Sequence, residues 1–312
     1  MQAIAVNEYG AEPRIMELPK PKPGPGQILI KIWAAGMNPM DRMISAGEWK
    51  AVIPGQFPLV LGADVAGVVE AVGENATRFS SGDVVFGQLF IAPVGSAGTY
   101  AEYVAVSEDA NLARVPKKLD AVVAAALPTA GVTALGIVES LGRLSGKTVL
   151  IIGAGGGVGS FATQFAAQNG AHVDANARAD AAARMRSYGA AETFDHTAVS
   201  LLDAVRRAHP VGVDVVIDLA SDRDGFATAA ALVRRGGTAL STRRSADVES
   251  LAKAGIRGVN FQVSMSPGAL QRVADAVVKG RIVPPPINRI ELGDVPATWS
   301  NGCFDGKTVI VL

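Results

Sequence analysis

Short apolar runs broken by Gly and Pro fill the first third of the chain. Residues 3–6, 27–35, 65–72 and 83–86 have the length and β-branched content of strands, and residues 98–106, with Tyr100 and Tyr103, read as another. Clusters such as KPKPGPGQ at residues 20–27 mark the turns. This pattern predicts a compact, mostly β domain. The texture changes over residues 120–141, a helical stretch that Pro128 and Gly131 are expected to interrupt. Apolar runs then alternate with helical repeats. Strands are predicted over residues 148–152, 172–177, 192–194, 214–219, 238–241 and 259–263, with helices between them, among them 180–188 and 226–235. Six strands with intervening helices predict a doubly wound parallel sheet, an α/β class whose right-handed crossovers put ligands at the carboxyl ends of the strands. A helix over residues 267–279 follows. Residues 287–292 and 308–312 return to strand character and are expected to rejoin the first domain. The predicted domains are therefore 1–122 with 280–312, and 123–279.

The turn GAGGGVG, Gly153 to Gly159, joins the first strand of that sheet to a helix. Val158, Phe161, Ala162, Phe165 and Ala166 recur at helical spacing on one face. A strict G-x-G-x-x-G reading fails, because Val158 stands where the third Gly belongs. A spacing of three and three, Gly153, Gly156 and Gly159, fits the turn. A strand-to-helix turn that binds nothing has the same local pattern. The strand before it and the helix after it favour a pyrophosphate seat at Gly153, Gly156, Gly157, Val158 and Gly159, with free N–H groups and the positive dipole end of the helix. Gly170 reads as the helix stop. About 20 residues past the turn, NAD-selective sheets carry an acidic residue for the ribose 2′-hydroxyl. Arg178 holds that place here. A guanidinium grips a 2′-phosphate bidentately, so NADPH is the expected cofactor. The alternative is a solvated loop arginine. Arg184 and Arg186 lie close behind and are candidates to share the role. Ala220 and Ser221 are read at the end of the fourth strand, Leu240 and Ser241 at the end of the fifth, and Phe261 and Val263 within the sixth. These positions face the cofactor crevice. Asp174, inside an apolar strand, has no account from the sequence.

The chain has 312 residues, enough for two domains, and a formal net charge of zero, which speaks against a nucleic-acid surface. It opens on a strand-like MQAIAV with no basic leader and has no apolar run long enough to span a membrane. A cytoplasmic protein is expected. Cys303 is the only cysteine, so neither a disulfide framework nor a cysteine zinc site is available. His172, His196 and His209 show no metal-ligand spacing, and no metal is expected.

Taken together, AAGMNPMDRMISAG (34–47), PLVLGADVAGVVEAVG (58–73), GTYAEYVAV (98–106), AALPTAGVTAL (125–135) and GAGGGVGSFATQFA (153–166) resemble the zinc-independent quinone oxidoreductase (zeta-crystallin-like) branch of the medium-chain dehydrogenase/reductase superfamily. The resemblance covers essentially the whole chain. It implies a GroES-like β domain, a Rossmann domain, NADPH in a cleft between them, and a homodimer formed through the Rossmann sheets. The zinc alcohol dehydrogenases of that superfamily need a Cys where this chain has Met37-Asn38-Pro39, and a His-Glu pair where it has Ala63-Asp64. Their cysteine-rich structural lobe is absent as well. The resemblance puts Asn38, Asp41 and Trp49 on the substrate side and Thr129 near the nicotinamide. Each has a plainer alternative: a turn before Pro39 for Asn38, a cap on a helix starting at Arg42 for Asp41, packing for Trp49, and a bond to its own backbone for Thr129. His196 stands where relatives carry an aromatic over the adenosine, and it reads equally as a solvated loop histidine. Asn301 departs from the family pattern.

The resulting expectation is hydride transfer from NADPH to a small electrophile, a quinone or an activated α,β-unsaturated carbonyl, without metal and with no catalytic acid assigned. The competing readings are an enoyl reductase of secondary metabolism and a non-catalytic NADPH-binding sensor or structural protein.

Overall fold

The computed structural model describes residues 1–300 and 306–312. The chain folds as two compact units, Met1–Val132 with Met265–Leu312, and Thr133–Ser264.

The first unit contains β1 (Gln2–Val6), β2 (Arg14–Glu17), β3 (Gln27–Gly36), α1 (Pro39–Ser45), β4 (Leu59–Val60), β5 (Asp64–Val72), β6 (Val84–Gln88), β7 (Tyr103–Ser107), β8 (Asn111–Arg114), α2 (Ala121–Ala126) and the start of α3 (Pro128–Leu141). β3 is the spine. Its alternate residues Ile28, Ile30 and Ile32 point into one core with Val65, Val69, Val85 and Leu112. It pairs antiparallel with β5 and β7. Only the second half of the strand expected over residues 98–106 forms. The first half bends so that Tyr100 is fully buried. The helical stretch is interrupted at Pro128 as expected: α2 ends at Ala126, and Pro128 starts α3, as its missing N–H allows at a first turn. Gly131 does not interrupt α3. A side chain there would put its Cβ 2.6 Å from a Val273 methyl, so the glycine serves close packing.

The second unit holds β9 (Thr148–Ile152), α4 (Gly157–Gln168), β10 (His172–Asn176), α5 (Ala179–Ser187), β11 (Ala190–Phe194), α6 (Leu201–Ala208), β12 (Val213–Asp218), α7 (Arg223–Ala230), β13 (Val233–Ser241), α8 (Val248–Lys253) and β14 (Arg257–Asn260). The sheet order is β11-β10-β9-β12-β13-β14, all parallel, which is the doubly wound order with its switch point beside β9. Leu150, Val213, Val216 and Phe226 centre one core of this unit. The helix expected over 226–235 runs instead from Arg223 to Ala230. Asp222 caps it by accepting from Gly225 N–H, and Val233 is drawn into β13 by pairing with Val213. The sixth strand ends at Asn260, so Phe261 and Val263 lie beyond it.

The chain returns to the first unit with α9 (Pro267–Val278), β15 (Ile287–Glu291), α10 (Val295–Ser300) and β16 (Lys307–Val311). β16 pairs antiparallel with β3, Val309 opposite Gly36. That pairing brings Lys307 beside the residues that follow β3. No helix among the described residues is long and apolar enough to cross a membrane.

Candidate functional site

In the second unit the glycine turn has three distinct jobs. Gly153 takes φ +78°, a left-handed value that suits glycine. A Cβ on Gly159 would lie 2.3 Å from Gly153 O and 2.5 Å from Ala154 Cα, so only glycine lets the helix sit this close to the strand. A Cβ on Gly156 would meet nothing nearer than Gly153 O at 3.5 Å, so that side of the turn is open. α4 starts at Gly157 with Gly156 as N-cap and no side chain capping it. The N–H groups of Gly157, Val158 and Gly159 thus stand at the helix N-terminus without a side-chain acceptor, a fitting seat for an anion.

Beside this turn lies a pocket of about 470 Å³. Gly153, Asn176, His196, Ala220 and Ser221 line it at the carboxyl ends of the strands, and Leu201 and Leu202 of α6 supply an apolar wall. Two positions need correction. β11 ends at Phe194, so His196 stands in the turn beyond it, with Nδ1 3.4 Å from Asn176 Nδ2. β12 ends at Asp218, so Ala220 and Ser221 lie in the bend after it. Asp218, which the sequence reading missed, shapes that bend: its Oδ1 accepts from Ala220 N–H (3.0 Å) and Ser221 N–H (2.8 Å).

Arg178 is the N-cap residue of α5, with its guanidinium 57% exposed and 3.5 Å from the exposed Asp180 carboxylate. Arg184 instead reaches back to the glycine turn, donating to Ser160 Oγ (3.0 Å) and Gly155 O (3.4 Å). Arg186 donates to Thr193 Oγ1. Leu240 is buried in β13, and Ser241 Oγ accepts from Arg243 N–H and Ser245 N–H. The Phe261 N–H donates to Ser241 O, and Phe261 and Val263 are half-buried. None of these lines the pocket.

The first unit contains a buried polar network. The Lys307 ammonium donates to Met37 O (2.9 Å) and Asn38 Oδ1, and lies 3.3 Å from Asp64 Oδ2. The two charged side chains are 4% and 0% exposed. Asn38 Nδ2 donates to Asp64 Oδ2 (3.0 Å), and Thr129 donates to Asp64 through both its N–H and its hydroxyl (Oγ1 to Oδ1, 2.6 Å). Gln88 Nε2 in turn donates to Thr129 Oγ1 at 2.7 Å. Asn38, not Asp41, is the N-cap of α1, which starts at Pro39. Asp41 sits in the first turn, where Oδ2 accepts from Asn38 N–H (2.7 Å) and from the Tyr100 hydroxyl (2.6 Å). Its Oδ1 is buried without a partner. Burial pushes the Asp41 carboxyl up to about 7 against the pull of these two donors, and burial likewise holds the Tyr100 hydroxyl well above its usual range. Trp49 is half-buried and edge-on to Phe90, with ring centroids 5.7 Å apart.

The network thus joins Asn38, Asp41 and Thr129 with Lys307, Tyr100, Gln88 and Asp64, to which the sequence reading gave no site role; Asp64 is the hub that Asn38, Thr129 and Lys307 share. The available signal was a charged residue heading the apolar run KTVIVL. Asn301 and Cys303 lie outside the described residues.

Residues 24–117 match the alcohol dehydrogenase GroES-like domain and residues 157–266 match the zinc-binding dehydrogenase family. Human quinone oxidoreductase is 34% identical over 226 residues, 70% of this chain, and the chain spans 66% of that relative's length, just under two thirds. The quinone oxidoreductase of Rattus norvegicus is 33% identical over 72% of this chain and 68% of its own length. The solved structure of the quinone oxidoreductase from Coxiella burnetii matches with a TM-score of 0.87 at 27% identity, over 100% of this chain and 99% of that one. A GroES-like unit, a parallel dinucleotide-type sheet and this relatedness together show that the chain belongs to the quinone oxidoreductase-like proteins of the medium-chain dehydrogenase/reductase superfamily.

Proposed function

We propose that the chain is an oxidoreductase that uses NADPH, with no metal in the reaction, to reduce a quinone or an activated α,β-unsaturated carbonyl compound. The observation that carries this reading is the pocket of about 470 Å³ at the strand ends, set beside an uncapped helix N-terminus, with an exposed arginine following β10. The N–H groups of Gly157, Val158 and Gly159 bind the pyrophosphate. Gly153, Asn176, His196, Ala220 and Ser221 hold the adenosine, and Arg178 holds the 2′-phosphate. When bound, the nicotinamide supplies a hydride.

The first unit supports a metal-free reading through its donor set. The segments at Met37–Pro39 and Ala63–Asp64 stand where zinc alcohol dehydrogenases carry their ligands, and here they present an amide and a carboxylate already bonded to the Lys307 ammonium. That cation neutralises the carboxylate a metal would need. Without a Lewis acid the substrate has to be a good electrophile, which favours quinones and enals over simple ketones. Reduction also takes up a proton, from water or a hydroxyl group. The Thr129 hydroxyl already donates to Asp64 and accepts from Gln88, which favours a positioning role for it.

The test is oxidation of NADPH and of NADH by a panel of quinones and enals, on the wild type and on Arg178→Ala. The variant is expected to raise KM for NADPH roughly 10–100-fold, the worth of about 1.5–3 kcal/mol for bonds to a charged group, and to leave NADH unchanged. Equal weakening of both cofactors removes Arg178 from the site. NADPH binding with no turnover of any substrate overturns the reductase reading.

A further inference from the structure

Two of the three histidines, far apart in sequence, meet around the strand carboxylate that the cofactor site leaves unexplained. His172 and Asp174 share one face of β10 by the two-residue repeat of a strand. His209 follows α6 in the turn that leads into β12. The three side chains converge toward the N-terminal edge of the parallel sheet, whereas the glycine turn and its pocket lie at the carboxyl ends of the same strands. Asp174 is fully buried. His172 Nε2 lies 3.3 Å from its Oδ1, and His209 Nε2 lies 2.7 Å from its Oδ2. Both are close ion-pair approaches, and no other polar side chain or backbone group among the described residues bonds these buried atoms of Asp174 and His209. One ligand atom from each residue falls within 4.8 Å of the others. Glu192, opposite Asp174 in β11, adds further negative charge beside it.

We propose that His172, Asp174 and His209 form a binding site for a divalent transition metal of the zinc type, with water completing the coordination. Two imidazoles and a carboxylate are a borderline-soft donor set suited to such an ion. A tetrahedral ion with bonds of about 2.0–2.1 Å holds neighbouring donor atoms about 3.3–3.4 Å apart. The His172–Asp174 pair has that spacing through Oδ1, and His209, 17% exposed and next to the other oxygen, has to shift its side chain for all three to share one ion. The ion would tie β10 to the α6–β12 crossover and balance a buried carboxylate that otherwise faces only the two imidazoles. The site involves no substrate or nicotinamide contact, so it stands or falls apart from the reductase reading.

The experiment is calorimetric titration of the untagged, chelator-treated full chain with Zn²⁺, with Co²⁺ absorption as a second readout. One equivalent is expected to bind, to raise the melting temperature, and to give the intense visible bands of four-coordinate cobalt. His172→Ala and His209→Ala should each weaken binding at least about 10-fold, while His196→Ala and Cys303→Ser retain it. His172 is 46% exposed, so its variant keeps the fold intact. Absence of stoichiometric binding, or binding that survives both His172→Ala and His209→Ala, overturns the site.

Discussion

Replacing Lys307 by Met tests the buried network directly. Two fully buried carboxylates, Asp41 and Asp64, face one buried ammonium. Methionine keeps most of the stem volume and deletes the charge. Asp64 then retains only the dipoles of Asn38 and Thr129, and Asp41 loses the cation that draws its carboxyl down. Breaking a buried ion pair from one side costs about 3–5 kcal/mol, because the surviving charge keeps its desolvation penalty. For a protein unit of this size that is a fall in Tm of roughly 6–20 °C. All three tryptophans, Trp33, Trp49 and Trp299, belong to the first unit, so their fluorescence follows its unfolding and not that of the second. Urea unfolding of Lys307→Met, Asp64→Asn and the double variant completes a cycle. The double variant removes both charges, so its cost should fall below the sum of the singles by about 2 kcal/mol or more. A cost below about 1 kcal/mol for Lys307→Met, or strictly additive singles, refutes the reasoning.

The same network predicts a pH dependence. Asp41 has its carboxyl raised to about 7 by burial, so the folded chain keeps that proton between the ordinary carboxylate range and neutrality, while the unfolded chain releases it. Stability held at low pH is lost as pH rises through about 7, and Asp41→Asn abolishes that loss. The wild type should lose roughly 2–3 kcal/mol relative to Asp41→Asn between pH 5 and pH 8, read by urea unfolding at each pH; parallel curves would show that Asp41 is ionised throughout. In the second unit, Gly159→Ala forces its Cβ onto the backbone of Gly153 and Ala154. The variant should lose about 1–3 kcal/mol of stability and most of its NADPH affinity, measured by melting and by nucleotide fluorescence. Wild-type affinity in that variant would dissociate the turn from the cofactor.

Local patterns carried much of the fold. β9 was legible to the residue, because an apolar run ending at a glycine of positive φ allows little else. α4, α5 and α9 matched their periodicity within a residue or two. The misplacements have physical causes. β4 is two residues long and β2 has no buried face of its own, so neither has a periodic signal. The Val-Arg-Arg segment at 233–235 is helix-tolerant in isolation, and pairing with Val213 makes it strand.

The sequence by itself determined the class of fold, the position of the glycine turn and the absence of a cysteine or histidine at residues 37–39 and 63–64. Each of these is a property of near neighbours: strand alternation, helical repeat, or which atoms a residue can offer. Only the tertiary structure decided which distant polar groups share an interior. Lys307 reaches Asp64 across 243 positions because β16 pairs with β3. His209 meets Asp174 because the α6 crossover returns to the edge where β10 begins. A buried charge must find its partner in space, and the spacing of letters along the chain holds no record of that distance.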